Sequence, residues 1–290
     1  MNLQDAYTDF ILSREAINVT ERTLSYYEFT LSKIVDYLRD SGVQEVDCLR
    51  AYHFRLLLKD LREKNLSDSY IHQYARVSKT FLSFIYKEGY IPQVIDFESP
   101  KIAAKHLRVL DVSEIQTLIS HCEKLRDKLI ILLFVDTGIR LNELCMLDWS
   151  DINLDDGSLL VRFGKGKKYR VVGVGFKVRR LLLRYKSQLG KQNTESEKPL
   201  IQTIHGKRFT TMGLRSVMVR LKEESGIEFS AHALRRSFAK LSVKAGMNLI
   251  YIQSLMGHAD IETTRNYVQK LDNSEVLNAQ KIHGTVDNYF

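Results

Sequence analysis

The stretch KLIILLFVDTGIRLNEL, residues 128–144, decides the reading of this chain. From Leu129 to Val135 it is apolar on every side, the pattern of a helix buried at the centre of a domain. The run is far too short to cross a bilayer. Gly138 ends that helix, and Arg140 then opens a new helical segment, so its guanidinium is held by backbone on a tight corner beside the core. A planar guanidinium can donate two bonds to the oxygens of one phosphate, which a lysine does poorly. Glu143 stands three residues on, close enough on a helix to orient a neighbouring basic group. In isolation the same word also describes a surface Arg–Glu pair on an exposed turn, so the rest of the chain has to choose.

Downstream, the segments Leu159–Phe163 and Tyr169–Val174 are β-rich and separated by GKGK, which reads as an antiparallel hairpin. Between Gly157 and Thr194 there is no Asp or Glu, while Arg162, Lys165, Lys167, Lys168, Arg170, Lys177, Arg179, Arg180, Arg184, Lys186 and Lys191 all fall there. A one-sign block interleaved with VVGV and LLL is folded, so its charges should concentrate on a surface, with phosphates as the counter-charge. Helical patterns follow over about 176–189, 211–225, 232–245, 248–256 and 260–270. Upstream of the core helix, Ser113 and Gln116 have capping-box spacing before Ile115, Leu118 and Ile119.

Residues 1 to about 95 read as helical throughout. Thr20 can cap a helix carrying Leu24, Tyr27, Leu31, Ile34, Val35 and Leu38 on one side, ended by Gly42. Ser67 can cap a second, with Ile71, Tyr74, Val77, Phe81, Phe84 and Ile85 as its buried stripe and Gly89 as its left-handed end. The opposite face offers His72, Arg76, Lys79 and Lys87, either a solvated surface or a strip laid along phosphates. Pro92 and Pro100 with Lys101, Lys105, His106 and Arg108 mark a basic linker over 96–109. The expected class is mainly α with a small antiparallel β-sheet: a helical domain over 1–95, an α+β domain over 110–270 and a polar tail over 271–290.

With 290 residues the chain can bury two cores, and its formal net charge of +8 would draw a polyanion. Cys48, Cys122 and Cys145 are an odd number without CxxC pairing, which argues against a disulfide framework or a zinc site and for a reducing, intracellular compartment. The acidic start MNLQDAYTDFILSRE is unlike a signal peptide, so a cytoplasmic protein with no membrane partner is expected.

Toward the C-terminus the chemistry-bearing residues accumulate. His232 and Arg235 are three apart at the beginning of a helix, hence on one face, where the free N–H groups of the first turn also favour an anion. Gly257-His258 follows an apolar helix, and Tyr267 lies nine residues later in ETTRNYVQK. Lys165 sits between glycines at the hairpin tip, with Lys167 and Lys168 as competing candidates for close approach to a duplex. Each has an ordinary reading: a capping histidine, a solvent arginine, a core tyrosine.

Together, TGIRLNEL, FGKGKKYRVVGV, SAHALRRSFA and LMGHADIETTRNYV resemble the catalytic half of the tyrosine recombinases, or phage-integrase family, and the length is most similar to its Xer-type members. Two departures stand out: Arg236 occupies a place where a histidine is common, and Met256 replaces a leucine. The resemblance implies a site-specific DNA recombinase with an N-terminal core-binding, SAM-like clamp and a C-terminal catalytic domain. It implies catalytic roles for Arg140, Lys165, His232, Arg235, His258 and Tyr267, the last as nucleophile, with Glu143 in support. Tyr267 would form a 3′-phosphotyrosyl bond, Arg140, Arg235 and His258 would hold the phosphate oxygens, and Lys165 would protonate the leaving 5′-oxygen. His232 or His258 would handle the phenol proton, since a phenol with pKa near ~10 is only about one part in a thousand ionised at neutral pH. No metal, cofactor or ATP is called for, and no H-E-x-x-H word occurs.

Arg76, Lys79, Lys101, Lys105, Arg108, Lys167, Lys168 and Arg170 are the expected DNA contacts. The implied partners are double-stranded DNA with paired half-sites and further copies of the chain, as a tetramer on synapsed DNA, with the tail exchanged between subunits. Relaxation of one duplex by a type IB topoisomerase-like enzyme, or silent DNA binding, are the competing readings.

Overall fold

The computed structural model describes residues 1–101, 107–162 and 169–257. The chain divides into two compact units, Met1–Lys105 and His106–Phe290.

The first unit is helical. Helix α1 (Leu3–Ala16) begins at Asn2, whose side chain accepts from the N–H of Gln4; α2 (Glu21–Asp40) and α4 (Asp68–Lys87) begin at Thr20 and Ser67, whose hydroxyls accept from Thr23 and Tyr70. Helix α3 (Ala51–Glu63) lies between the latter two in sequence and packs on both. Apolar positions at three- and four-residue spacing put Leu31, Ile34, Val35 and Leu38 of α2 and Ile71, Val77, Phe81 and Ile85 of α4 into one core. At its centre the Phe10 ring meets Tyr27, Phe81 and Phe84 edge-on at 5.3, 5.8 and 5.3 Å.

The basic linker is shorter than the sequence indicates. Phe97 is buried and stacks on Phe54 with ring centres 5.3 Å apart, and Asp96 pairs with Lys79 at 2.8 Å. Phe97 therefore belongs to the first core and Asp96 to that unit's surface, because an aromatic side chain between the two prolines gains more by burial than by staying in solvent. At the other end Arg108 is bound to Glu114 and to the Glu228 carbonyl, and Leu110 is buried.

The second unit is built on α6 (Leu125–Thr137), which packs against α8 (Phe176–Leu189) and α10 (Ala231–Lys244). Leu129, Ile130, Ile131, Leu133 and Phe134 are fully buried. Before it, α5 (Val112–Ser120) is capped two residues earlier than its candidate cap: Asp111 and Glu114 form the capping box, and the Ser113 hydroxyl donates to Asp111 at 2.7 Å. Both pairs fit the spacing, and carboxylates at the first turn face the positive end of the helix dipole. Strands β1 (Ser158–Val161) and β2 (Arg170–Gly173) pair antiparallel, with Val161 opposite Arg170 and Leu159 opposite Val172. The described residues of the unit also form α7 (Leu141–Met146), α9 (Thr211–Ser225) and α11 (Leu249–Met256).

Two details fix the corner after α6. Gly138 has φ +62, a dihedral that most side chains disfavour, and a β-carbon there would stand 2.3 Å from the ring of Phe238 on α10, so the space admits no side chain. Asp136 accepts from the N–H of Gly175 at 2.7 Å, which ties the end of α6 to the start of α8. Among the described residues no helix is long and apolar enough to cross a membrane.

Candidate active site

Arg140 occupies the N-cap of α7 in an extended conformation, immediately after the left-handed turn at Gly138. The Glu143 carboxylate reaches back to its N–H at 2.7 Å and to its guanidinium at 2.8 Å. The other terminal guanidinium nitrogen donates to the Gly257 carbonyl at 2.9 Å. About a third of the Arg140 side chain is open to solvent.

Glu143 itself is buried, with a side chain only 4% exposed. It also receives Arg170 from β2 in a two-pronged pair of 2.9 and 2.8 Å. Burial pushes the carboxyl pKa up, but the bonds from Arg170 and Arg140 outweigh it and hold the group at about 2. The carboxylate is thus a permanent anion that binds two cations, each along its own direction.

Arg235, on α10, is almost wholly buried and donates to the Gly138 carbonyl at the end of α6 and to the Met256 carbonyl at the end of α11. Arg170 donates through Nε to the Leu255 carbonyl at 2.6 Å. Three guanidiniums therefore converge on three consecutive carbonyls, 255, 256 and 257, at the C-terminus of α11. A helix end leaves its last carbonyls without internal partners and carries partial negative charge, so it is a natural acceptor for such a cluster. Gly257 makes the approach possible: it has φ +61, and a β-carbon would lie 3.2 Å from a guanidinium nitrogen of Arg170.

His232 lies one turn before Arg235 on α10, which Ser230 caps by accepting from the N–H of Ala233. The residue is exposed. Partial desolvation, followed by the nearby charges of Arg236, Arg235, Arg140 and Arg215, lowers its pKa from the usual 6.5. The neutral imidazole is the favoured form, with a lone pair free to accept a proton.

The structure thus brings Arg140, Glu143, His232 and Arg235 around the end of α11. Lys165, Lys167, Lys168, His258, Tyr267, Lys105 and the tail lie outside the described residues.

Of the expected DNA contacts, Arg76 is exposed and donates to the Tyr26 hydroxyl at 3.1 Å, Lys79 pairs with Asp96, and Lys101 is exposed. With Arg14, His72 and Lys87, Arg76 and Lys79 line an open groove of about 500 Å³ in the first unit. Arg108 and Arg170 are different. Arg108 is tied to Glu114 and two carbonyls, and Arg170 is held inside by Glu143 and Leu255.

The basic block is accordingly not a uniform surface. Arg162 pairs with the buried Asp151, and Arg179 donates to the carbonyls of Leu154 and Asp155. The sequence reading missed the inward role of Arg170, although a signal was present: residues 170 and 172 share one face of β2, and Val172 is buried. Among the described residues no group of three or more His, Cys, Asp or Glu is placed to hold a metal ion.

Comparison with known proteins extends this picture. A model of the phage integrase family matches residues 108–274. A tyrosine recombinase XerD from Staphylococcus epidermidis is 30% identical over 277 residues, 91% of this chain and 92% of that one. Among solved structures, a lambda integrase dimer bound to a COC′ core site superimposes with a TM-score of 0.78 at 19% identity, covering 94% of this chain and 99% of that one. The Tn1549 transposon integrase in complex with a circular intermediate DNA gives 0.76 at 18% identity, covering 97% and 99%. At such identities these two show the shared fold.

Proposed function

Because this chain belongs to the phage integrase family, among the Xer-type tyrosine recombinases, we propose that it cuts and rejoins DNA at specific sites through a covalent bond to Tyr267. The observation that carries the chemical reading is the convergence of Arg140, Arg235 and Arg170 on the end of α11, from which the chain runs directly into His258.

In this reading the phenol oxygen of Tyr267 attacks the scissile phosphorus. The phosphorus–5′-oxygen bond breaks, a 3′-phosphotyrosine forms, and Lys165 gives its proton to the departing 5′-oxygen. Arg140, Arg235 and His258 hold the non-bridging oxygens, where guanidinium forks neutralise the charge that grows in the transition state. His232 or His258 accepts the phenol proton, and the depressed pKa of His232 leaves it unprotonated at neutral pH and able to do so. The phosphotyrosyl bond conserves the energy of the phosphodiester, so a 5′-hydroxyl from another duplex can reverse the step.

The exposed Arg76 and Lys101 and the half-buried Lys79 of the first unit would contact the DNA backbone, in the groove that Arg76 and Lys79 help to line. Paired half-sites, assembly as a tetramer on synapsed DNA, exchange of residues 271–290 between subunits and a place in the cytoplasm with the chromosome complete the proposal. The test is a nicked suicide substrate that traps the covalent intermediate. The intact chain should form the adduct and exchange strands between two marked duplexes, and Tyr267→Phe should bind DNA nearly as well yet form no adduct. Adduct formation by that variant would remove Tyr267 from the role, and relaxation of supercoils without exchange would point to a topoisomerase.

A further inference from the structure

Arg170 makes more directed bonds than any assigned role asks of it. Its two terminal nitrogens bind separate oxygens of Glu143 at 2.9 and 2.8 Å, and its Nε donates to the Leu255 carbonyl at 2.6 Å. Its side chain is 13% exposed. It passes so close to Gly257 that a β-carbon there would press on the guanidinium at 3.2 Å. Glu143 in turn binds the N–H and the guanidinium of Arg140, and Arg140 binds the Gly257 carbonyl. These contacts close a ring that runs from Arg170 through Glu143 and Arg140 to Gly257, and back along α11 to Leu255. Three separate elements are locked by it: β2, the first turn of α7 and the last turn of α11.

We propose that Arg170 is a positioning residue for strand cleavage. Through Glu143 it aims the Arg140 guanidinium, and through Leu255 it sets the end of α11 from which the chain enters His258. The inference rests on the recombinase reading. Without Arg170, Glu143 keeps a single cationic partner and draws Arg140 onto itself, away from the position a phosphate needs. A lysine cannot replace the fork, because a single ammonium on a flexible stem does not span both carboxylate oxygens and a carbonyl in one plane.

The experiment measures single-turnover cleavage of the nicked suicide substrate at saturating protein, with DNA affinity and its salt dependence measured separately, for wild type, Arg170→Gln, Arg170→Lys, Glu143→Gln and the double variant. Misplacement of a catalytic group by about 1 Å costs on the order of 10²-fold in rate, and that is the loss expected for Arg170→Gln. Affinity should stay within about threefold and the salt slope unchanged, because no phosphate contact is lost. Arg170→Lys should remain at least about tenfold slow, and the double variant should be no slower than Arg170→Gln alone, since both residues act along one path.

The inference is overturned if Arg170→Gln weakens binding about tenfold or more with a shallower salt slope while cleavage at saturation is intact, the signature of a phosphate contact. Rate losses that multiply in the double variant overturn it as well. Should Arg170→Gln fail to fold, Arg170→Lys carries the test, and cleavage at the wild-type rate by that variant refutes the need for a fork. A wild-type chain that forms no adduct sinks the recombinase reading together with this one; a wild type that cleaves beside variants that cleave equally well sinks this one alone.

Discussion

The two units bury different things. Among the described residues of the first, no charged side chain is buried; Thr30, Ser78 and Tyr74 bury hydroxyls, and the core is aromatic and aliphatic around Phe10. In the second, Asp127, Glu143, Asp151 and Arg235 are all nearly inaccessible, each held by ion pairs or carbonyls. A buried charge is a poor source of stability, since desolvation consumes most of what pairing returns. The difference teaches how each unit handles charge: the second fixes charged groups in dry surroundings where their neighbours set their direction, and the described residues of the first bury none.

The largest way to break the contrast is in the first core. Phe10→Ala removes a fully buried ring that touches Tyr27, Phe81 and Phe84, and should cost about 3–5 kcal/mol in urea unfolding. A loss under about 1 kcal/mol would mean that the aromatic cluster does not anchor that unit.

A sharper test concerns Glu143. Its folded pKa lies below the usual 4.5, at about 2, so the ionised form is favoured by folding. That contribution, on the order of 3 kcal/mol, is present in full above the unfolded value and is lost as pH falls from about 4.5 toward 2. Glu143→Gln should therefore be less stable than wild type at neutral pH, with the gap narrowing in acid as measured by denaturant titration at each pH. A gap that holds constant down to pH 2 would contradict the buried-anion account.

The smallest effect belongs to an exposed pair. Lys79→Ala breaks the 2.8 Å contact with Asp96 but should change stability by less than about 1 kcal/mol, because water screens both partners. If Lys79 meets a phosphate, the same variant should reduce the salt slope of DNA binding by about one. An unaltered slope would leave Lys79 as part of the first unit's surface and nothing more.

How much could be read beforehand differs residue by residue. The stripe from Ile71 to Ile85 and the caps at Thr20 and Ser67 were legible because helix periodicity and a hydroxyl three residues ahead of a free N–H are local facts. The α5 cap was misplaced because Asp111 with Glu114 and Ser113 with Gln116 satisfy one pattern, and only the helix dipole favours the acidic pair. The core position of Leu129–Phe134 was legible from its unbroken apolar run. Arg140 and Glu143 could be paired by spacing, but not the third partner, because Arg170 is 27 residues away on a strand. Charge density along the chain says nothing about which side of a strand a cation occupies, so Arg170, Arg162 and Arg179 read alike with their solvated neighbours. The carbonyls of residues 255–257 were invisible for a simpler reason: every residue has one, and only the fold says which are left without a partner.

The corner at Gly138 has a consequence for which sequences this architecture tolerates. Asparagine often replaces glycine where the backbone turns left-handed, yet here the ring of Phe238 already fills the volume a side chain would enter. Gly138→Asn would satisfy the dihedral and still push Phe238 aside, and with it the helix that carries Arg235. Only trimming the aromatic ring at the same time could make room, so position 138 can gain a side chain only where position 238 gives up its ring.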